Sequence, residues 1–358
     1  MRAVVRRGKT LVVDDMAVPR PGAGQVLVKT LACGICGSDL HALHHAEALA
    51  DIARRSGAGE FMDPAKDIVF GHEFCAEILE HGIGTEKTLK AGTRVVSVPV
   101  LVGPNGVETV GYSNRVPGGF AENMVLSEAM LLEVPNGLAS DAAALTEPLA
   151  VGLHAVNLAN LETAGVAVVI GCGPVGLAVI AALKARGFGP VLAADFSPVR
   201  RASAEAIGAD IVIDPAVSSP YGRWSEFAVP ANGGERGMVE MMGGVPRNAV
   251  IFECVGVPGM LQKIIEGAPT NAQIIVVGVC MELDQIEPAV AITKHLDLRF
   301  AYAYTPIEFA QCLHYLAEGA VNPANFITGN VDLAGTPAAF EALAKPQSHI
   351  KIIVEPGR

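Results

Sequence analysis

Three short clusters in this chain carry side chains that can bind a transition metal. Cys33-Gly34-Ile35-Cys36-Gly37-Ser38-Asp39-Leu40-His41 follows a strand-like run, Gly71-His72-Glu73 comes next, and Thr146-Glu147-Pro148 lies much further on. Between them they offer thiolate, imidazole and carboxylate, the ligand types zinc accepts. Cys33 and Cys36 by themselves also read as a redox pair or as half of a structural zinc site. No second C-x-x-C is present, which disfavours a four-cysteine site, and the motif lies in a strand-rich region rather than at the start of a βαβ unit. Zinc with three protein ligands keeps a fourth position open. An alcohol placed there loses its proton more readily, as zinc lowers the pKa of bound water to about 7, and a deprotonated alcohol is a hydride donor.

A second feature would accept that hydride. Gly171-Cys172-Gly173-Pro174-Val175-Gly176 fits G-x-G-x-x-G, with a strand-like run before it and a helix-like run after it. Gly171 allows the tight turn, Gly173 lets the backbone approach a pyrophosphate, and Gly176 allows close helix–sheet packing. The N-terminus of the following helix offers free N–H groups to the phosphates. Asp195 lies 19 residues after Gly176, close to the spacing of about 20 expected of an acidic residue that binds the ribose hydroxyls. Its charge would repel a 2′-phosphate and favours NAD over NADP, although Arg200 and Arg201 stand close by in sequence and arginine can hold such a phosphate.

The elements that must carry these residues differ between the two parts of the chain. The first 150 residues read as strand-rich and punctuated by Gly and Pro, with strands over Val26–Leu31, Ile68–Phe70 and Cys75–Leu79. From about residue 148 strand and helix alternate: strands at Val166–Ile170, Val191–Ala194, Ile211–Ile213, Ala249–Glu253 and Ile274–Gly278, with helices at Val175–Arg186, Pro198–Ile207 and Met260–Ile265. That rhythm predicts a parallel, doubly wound sheet. The tail adds a helix, Ile307–Glu318, and a closing strand, Ile350–Val354. His41 to Phe70 reads as an inserted surface loop with a partly helical stretch at Ala46–Arg55, serving either as solvent cover or as a substrate lid. The stretch Ser218–Gly234, with Tyr221 and Trp224, reads as irregular. Ala164–Leu183 is uncharged and long enough to span a bilayer, but its central glycines and proline make it a buried strand–turn–helix.

Bulk composition narrows the classes. The chain has 358 residues, 51% hydrophobic and 18% charged, with a formal net charge of −11. Two domains are expected, disorder is excluded, and no basic stripe suggests a nucleic acid. The seven cysteines, Cys33, Cys36, Cys75, Cys172, Cys254, Cys280 and Cys312, are an odd count in a long chain, which favours thiols in a reducing, cytoplasmic setting over a disulfide scaffold. The residues after Met1 lack the apolar core of a signal peptide.

The run Cys33–His41, Gly71-His72-Glu73, Glu147-Pro148-Leu149-Ala150 and the glycine loop at 171–176 together resemble the zinc-containing medium-chain dehydrogenase/reductase family. The order and spacing match over most of the chain, and Glu147-Pro148-Leu149-Ala150 is similar to the polyol, butanediol and threonine dehydrogenase branch. The resemblance implies an α/β chain: a GroES-like catalytic domain from residues 1–150 completed by 292–358, and a Rossmann domain at 151–291, with the active site in the cleft between them. It implies that Cys36, His72 and Glu147 bind one catalytic zinc, with Glu73 beside the metal as a transient ligand and Asp39 orienting His72. It implies that Ser38 takes the proton of the bound alcohol and that His41 passes it to solvent through the cofactor ribose. Gly171, Gly173, Pro174, Val175, Gly176, Asp195 and Arg200 would contact NAD, and Val277-Gly278-Val279 would hold the nicotinamide. Cys33 has no family role and reads as a buried thiol.

The segment Val98–Asn114, where relatives often carry a structural-zinc lobe with four cysteines, has none, so one zinc is expected and not two. His44 and His45 are additional to the pattern and read as surface residues or substrate contacts. The expected partner is a small alcohol or carbonyl compound, with a homodimer or homotetramer as the assembly. A zinc-free, NADPH-dependent enone or quinone reductase would lack Cys36, His72, Glu147 and Asp195; a non-catalytic NAD-binding protein would have no use for Ser38 and His41.

Overall fold

The computed structural model describes residues 1–57, 62–103, 106–345 and 348–358. They form two compact units, Met1–Glu147 with Phe309–Arg358, and Pro148–Glu308.

The first unit is built on the strand Gln25–Gly34, which lies antiparallel to Glu73–His81, to Asn123–Ser127 and to the C-terminal strand Lys351–Val354. Val26, Val28 and Thr30 are buried while Lys29 is exposed, the alternation of a strand with one covered face. From Ala32 to Gly34 every residue is buried, and here Lys351–Val354 pairs alongside, Ile353 against Gly34 and Val354 against Cys33. Ile35 N–H donates to Ile352 O, 3.0 Å away, so residues some 300 positions apart share one edge of the site. The expected strand at Ile68–Phe70 is a single bridge from Ile68 to Arg6; Gly71, at φ +101°, turns the chain away immediately afterwards.

The insertion after His41 differs from the surface loop expected of it. Gly37–Ser56 is one helix with a kink at His45 (φ −125°, ψ 33°), ended by Gly57 in the left-handed region. Ala42, Leu43, Ala46 and Ala53 are buried. Their spacing lays an apolar stripe along one helix face, and the good helix formers between them carry the helix well past the metal motif. Within the insertion, residues 58–61, including Ala58 and Gly59, lie outside the described residues.

The second unit is a parallel sheet. Its six strands, among the described residues, run side by side in the order Ile211–Ile213, Val191–Ala194, Ala164–Ile170, Asn248–Glu253, Gln273–Val276 and Asp297–Phe300. Numbered along the chain this is 3-2-1-4-5-6, the doubly wound order of dinucleotide-binding sheets. Every residue of Ala164–Ile170 is buried, which is why a strand covered on both faces reads as a continuous apolar run. Tyr221 and Trp224 take on a role the sequence left blank: Trp224 enters the core with Ile213, Val229, Ile251 and Ile264, and Tyr221 packs against that cluster. No helix among the described residues is long and apolar enough to cross a membrane.

Candidate functional site

The first unit brings Cys36, His72 and Glu73 together, with one donor atom of each within 4.8 Å of the others. Cys36 is the N-cap of the helix Gly37–Ser56, and its N–H donates to Asp39 Oδ2 at 3.0 Å. Glu73 opens the strand Glu73–His81 and His72 immediately precedes it, after the turn at Gly71. A Cβ on Gly71 would stand 2.8 Å from Cys33 Sγ and 2.8 Å from Phe120 N, so only glycine lets that turn approach. Cys33 is fully buried beneath it, and burial raises its thiol well above the usual range. The glycine inside the cysteine motif has a similar cause: a Cβ on Gly34 would fall 2.1 Å from Glu73 Oε2.

Asp39 is wholly buried, with Oδ1 3.4 Å from His72 Nδ1. That nitrogen makes no well-formed hydrogen bond and is shielded from solvent. Burial alone would lower the His72 pKa, but the nearby Asp39 and Cys36 outweigh it and hold it well above its ordinary value. Glu147, in the first turn of the helix Thr146–Leu158, is buried as well. It is not among the three side chains that converge, yet its charge is felt at Lys351.

Lys351 and Tyr112 are members of this site that sequence reasoning missed. Lys351 Nζ lies 2.6 Å from both Glu73 oxygens and donates to Ile35 O at 3.0 Å. Burial lowers its pKa, but Glu73, Cys36 and Glu147 more than offset this and keep it charged. A lone lysine in the apolar run Ile350–Val354 was the available signal, since a buried charge needs a partner. Tyr112 had none. Its hydroxyl donates to Ser38 Oγ at 2.8 Å and stands 3.2 Å from Asp39 Oδ1. His41 is one turn beyond Ser38 on the same helix; partial burial and then His45 lower its pKa. His44 and His45 are exposed.

This donor set fits zinc. It gathers a thiol, an imidazole and carboxylates in a buried place, with Glu73, Cys36 and Glu147 within electrostatic reach of Lys351 and Asp39 beside His72, and these are the ligand types zinc accepts.

The second unit carries the glycine loop at the end of its first strand. A Cβ on Gly176 would fall 1.9 Å from Gly171 O, and one on Gly171 2.7 Å from Val255 Cγ2, so both glycines answer to packing. Gly173 does not: its φ is an ordinary −68°, and the nearest atoms to a Cβ there belong to the Arg200 guanidinium at 3.8 Å. The fold leaves that approach open. Pro174 and Val175 begin the helix Pro174–Ala185. Asp195 Oδ2 accepts from Cys172 N–H at 2.8 Å and Oδ1 from Ser197 N–H at 2.7 Å, with Arg200 Nη1 3.9 Å away. The acidic residue thereby ties the glycine loop to the next strand. Val277 and Gly278 N–H groups donate to Glu253 O, while Glu253 Oε1 accepts from Val255 and Gly256. Val277 is buried and Val279 exposed just beyond it.

Comparison with known proteins places this geometry. The family model described as the alcohol dehydrogenase GroES-like domain matches residues 22–136, and that of the zinc-binding dehydrogenase matches residues 174–318. The chain is 32% identical to (R,R)-butanediol dehydrogenase of Bacillus subtilis over 97% of each protein. It is 26% identical to sorbitol dehydrogenase of Bos taurus, over 96% of this chain and 92% of that one. The crystal structure of 2R,3R-butanediol dehydrogenase from Bacillus subtilis superposes with a TM-score of 0.79 at 29% identity, covering 99% of both chains.

Proposed function

The chain belongs to the zinc-containing medium-chain alcohol dehydrogenase family, and on that premise we propose that it oxidises a secondary alcohol or polyol to the carbonyl compound with NAD, or runs the reverse reaction. The observation that carries this reading is the convergence of Cys36, His72 and Glu73 in a chain that also carries a dinucleotide loop. We assign the catalytic part to Met1–Glu147 with Phe309–Arg358 and the NAD-binding part to Pro148–Glu308, because Asp297–Phe300, expected in the catalytic part, is a strand of the parallel sheet.

Cys36, His72 and Glu147 would hold one zinc ion, which when bound polarises the alcohol oxygen as a Lewis acid. Asp39 orients His72, as a buried carboxylate beside a ligand imidazole commonly does. Glu73, with both oxygens on Lys351, would take part beside the metal as a transient ligand. Ser38, two residues from Cys36, accepts the alcohol proton, and His41 carries it to solvent, held neutral and ready to receive it. Gly173 and the N-terminus of Pro174–Ala185 take the pyrophosphate. Asp195 and Arg200 meet the adenosine ribose, where the carboxylate disfavours a 2′-phosphate. Val277, Gly278 and Val279 would hold the nicotinamide, the group that supplies hydride acceptance. Two aspects follow from family habit and the free thiols: a homodimer or homotetramer, and a reducing, cytoplasmic location.

The test is a panel of secondary alcohols and polyols followed by cofactor absorbance, on protein whose zinc has been measured. About one zinc per chain and NAD-linked turnover are expected. Less than about half an equivalent of zinc in carefully purified, active protein would defeat the reading, as would parent-like turnover by Cys36→Ser.

A further inference from the structure

The cysteine-free segment Val98–Asn114 does more than omit a metal lobe, because it delivers Tyr112 to the floor of the site. The Tyr112 side chain is buried, its ring 5.2 Å from His72 and 5.9 Å from Phe70 between centroids. Its hydroxyl has one proton, with Ser38 Oγ at 2.8 Å and Asp39 Oδ1 at 3.2 Å among its neighbours. The contact with Ser38 is the shorter of the two, and the Tyr112 hydroxyl donates there. A serine hydroxyl by itself is a free rotor with one proton and two lone pairs. Once Tyr112 fills one lone pair, the proton of Ser38 must point elsewhere, and the second lone pair is left for an incoming group.

We propose that Tyr112 is a positioning residue for the proton relay, its hydroxyl fixing Ser38 so that Oγ receives the alcohol proton while the original Ser38 proton departs towards His41. The O–H bond of the alcohol breaks as one forms on Oγ, the original Ser38 O–H breaks as its proton moves on, and Tyr112 keeps its own proton throughout. Its donated hydrogen bond also steadies negative charge on Oγ if the outgoing proton leads. This inference rests on Ser38 being the proton acceptor, as assigned above.

The experiment is a double-mutant cycle of Tyr112→Phe and Ser38→Ala on the zinc-loaded enzyme with its best alcohol. Loss of the one oriented hydrogen bond should lower kcat about tenfold, with KM changed less than about twofold. The solvent deuterium isotope effect on kcat should grow, while zinc content and NADH affinity stay at parent values. In the Ser38→Ala background Tyr112→Phe should cost less than about twofold, because a residue acting through another adds nothing once that one is gone. Multiplicative losses, an unchanged isotope effect, or loss of zinc in Tyr112→Phe would each overturn the proposal. A Ser38→Ala enzyme that turns over like the parent sinks the relay assignment itself, which separates the two failures. If Tyr112→Phe does not fold, replacing tyrosine throughout by 3-fluorotyrosine alters the same donor. An isotope effect changed in the Ser38 enzyme and not in Ser38→Ala is then expected, and an equal change in both overturns the idea.

Discussion

At the scale of single residues, the Lys351–Glu73 pair dominates the energetics of the site. Both side chains are almost completely excluded from solvent and their charged atoms are 2.6 Å apart. Removing one partner leaves the other charge buried and alone, which costs about 3–5 kcal/mol. Lys351→Met should therefore lower the urea unfolding midpoint markedly, and Glu73→Gln combined with it should recover much of the loss. If the double variant is as unstable as the single one, lysine packing and not charge is what matters. Cys36, His72 and Glu73 were legible because metal ligands are chemically distinctive and stand beside glycines. Lys351 and Tyr112 were not, because a lysine in a strand and a tyrosine in a loop acquire meaning only from what lies opposite them.

The glycine loop and the helix boundaries belong to the scale of elements. Gly173 and Gly176 belong to one motif but answer to different demands. Gly176→Ala forces a Cβ into the Gly171 carbonyl and should cost about 1–3 kcal/mol of stability as well as cofactor affinity. Gly173→Ala meets nothing close in the fold, so its melting temperature should stay near that of the parent. Its NADH affinity, read by fluorescence titration, should still fall about tenfold or more. Parent-like affinity in Gly173→Ala would show that no phosphate comes close there.

A second element-scale prediction concerns acid. Glu308 and Thr305 form a capping box at the start of the helix Pro306–Ala317, and Glu308 also meets His154 Nδ1 and Asn157 Nδ2. Burial pushes its pKa up, but these hydrogen bonds outweigh it and hold the group below its usual 4.5. A carboxylate so lowered contributes stability above the unfolded value, and the contribution is lost as the pH falls through the folded one. Glu308→Gln should thus lower the unfolding midpoint at neutral pH and flatten its decline below about pH 4.5; parallel curves for the two proteins would contradict this.

For the whole molecule, zinc should stabilise the fold and not only the chemistry. Cys36, His72 and Glu73 converge in one buried place, and an ion that binds this state and not the unfolded chain raises the melting temperature by mass action. Chelator-treated protein should melt several degrees lower, and zinc, but not magnesium, should restore it. Identical melting with and without the ion would mean that the cluster is already balanced.

What the sequence by itself determined are the features written in local spacing: the strand–glycine loop–helix of the nucleotide site, the apolar run of its buried strand, and the cysteine, histidine and glutamate motifs. Each is a short-range pattern whose physical cause, be it a tight turn, a helix N-terminus or a ligand type, acts within a few residues. The tertiary structure alone decided the rest. It brought the last strand against the first metal motif so that Lys351 meets Glu73, drew the insertion after His41 into one long helix, sank Trp224 into the core, and set Tyr112 beneath Ser38. Those outcomes depend on pairing and burial between distant segments, and no window along the chain contains both sides of the contact.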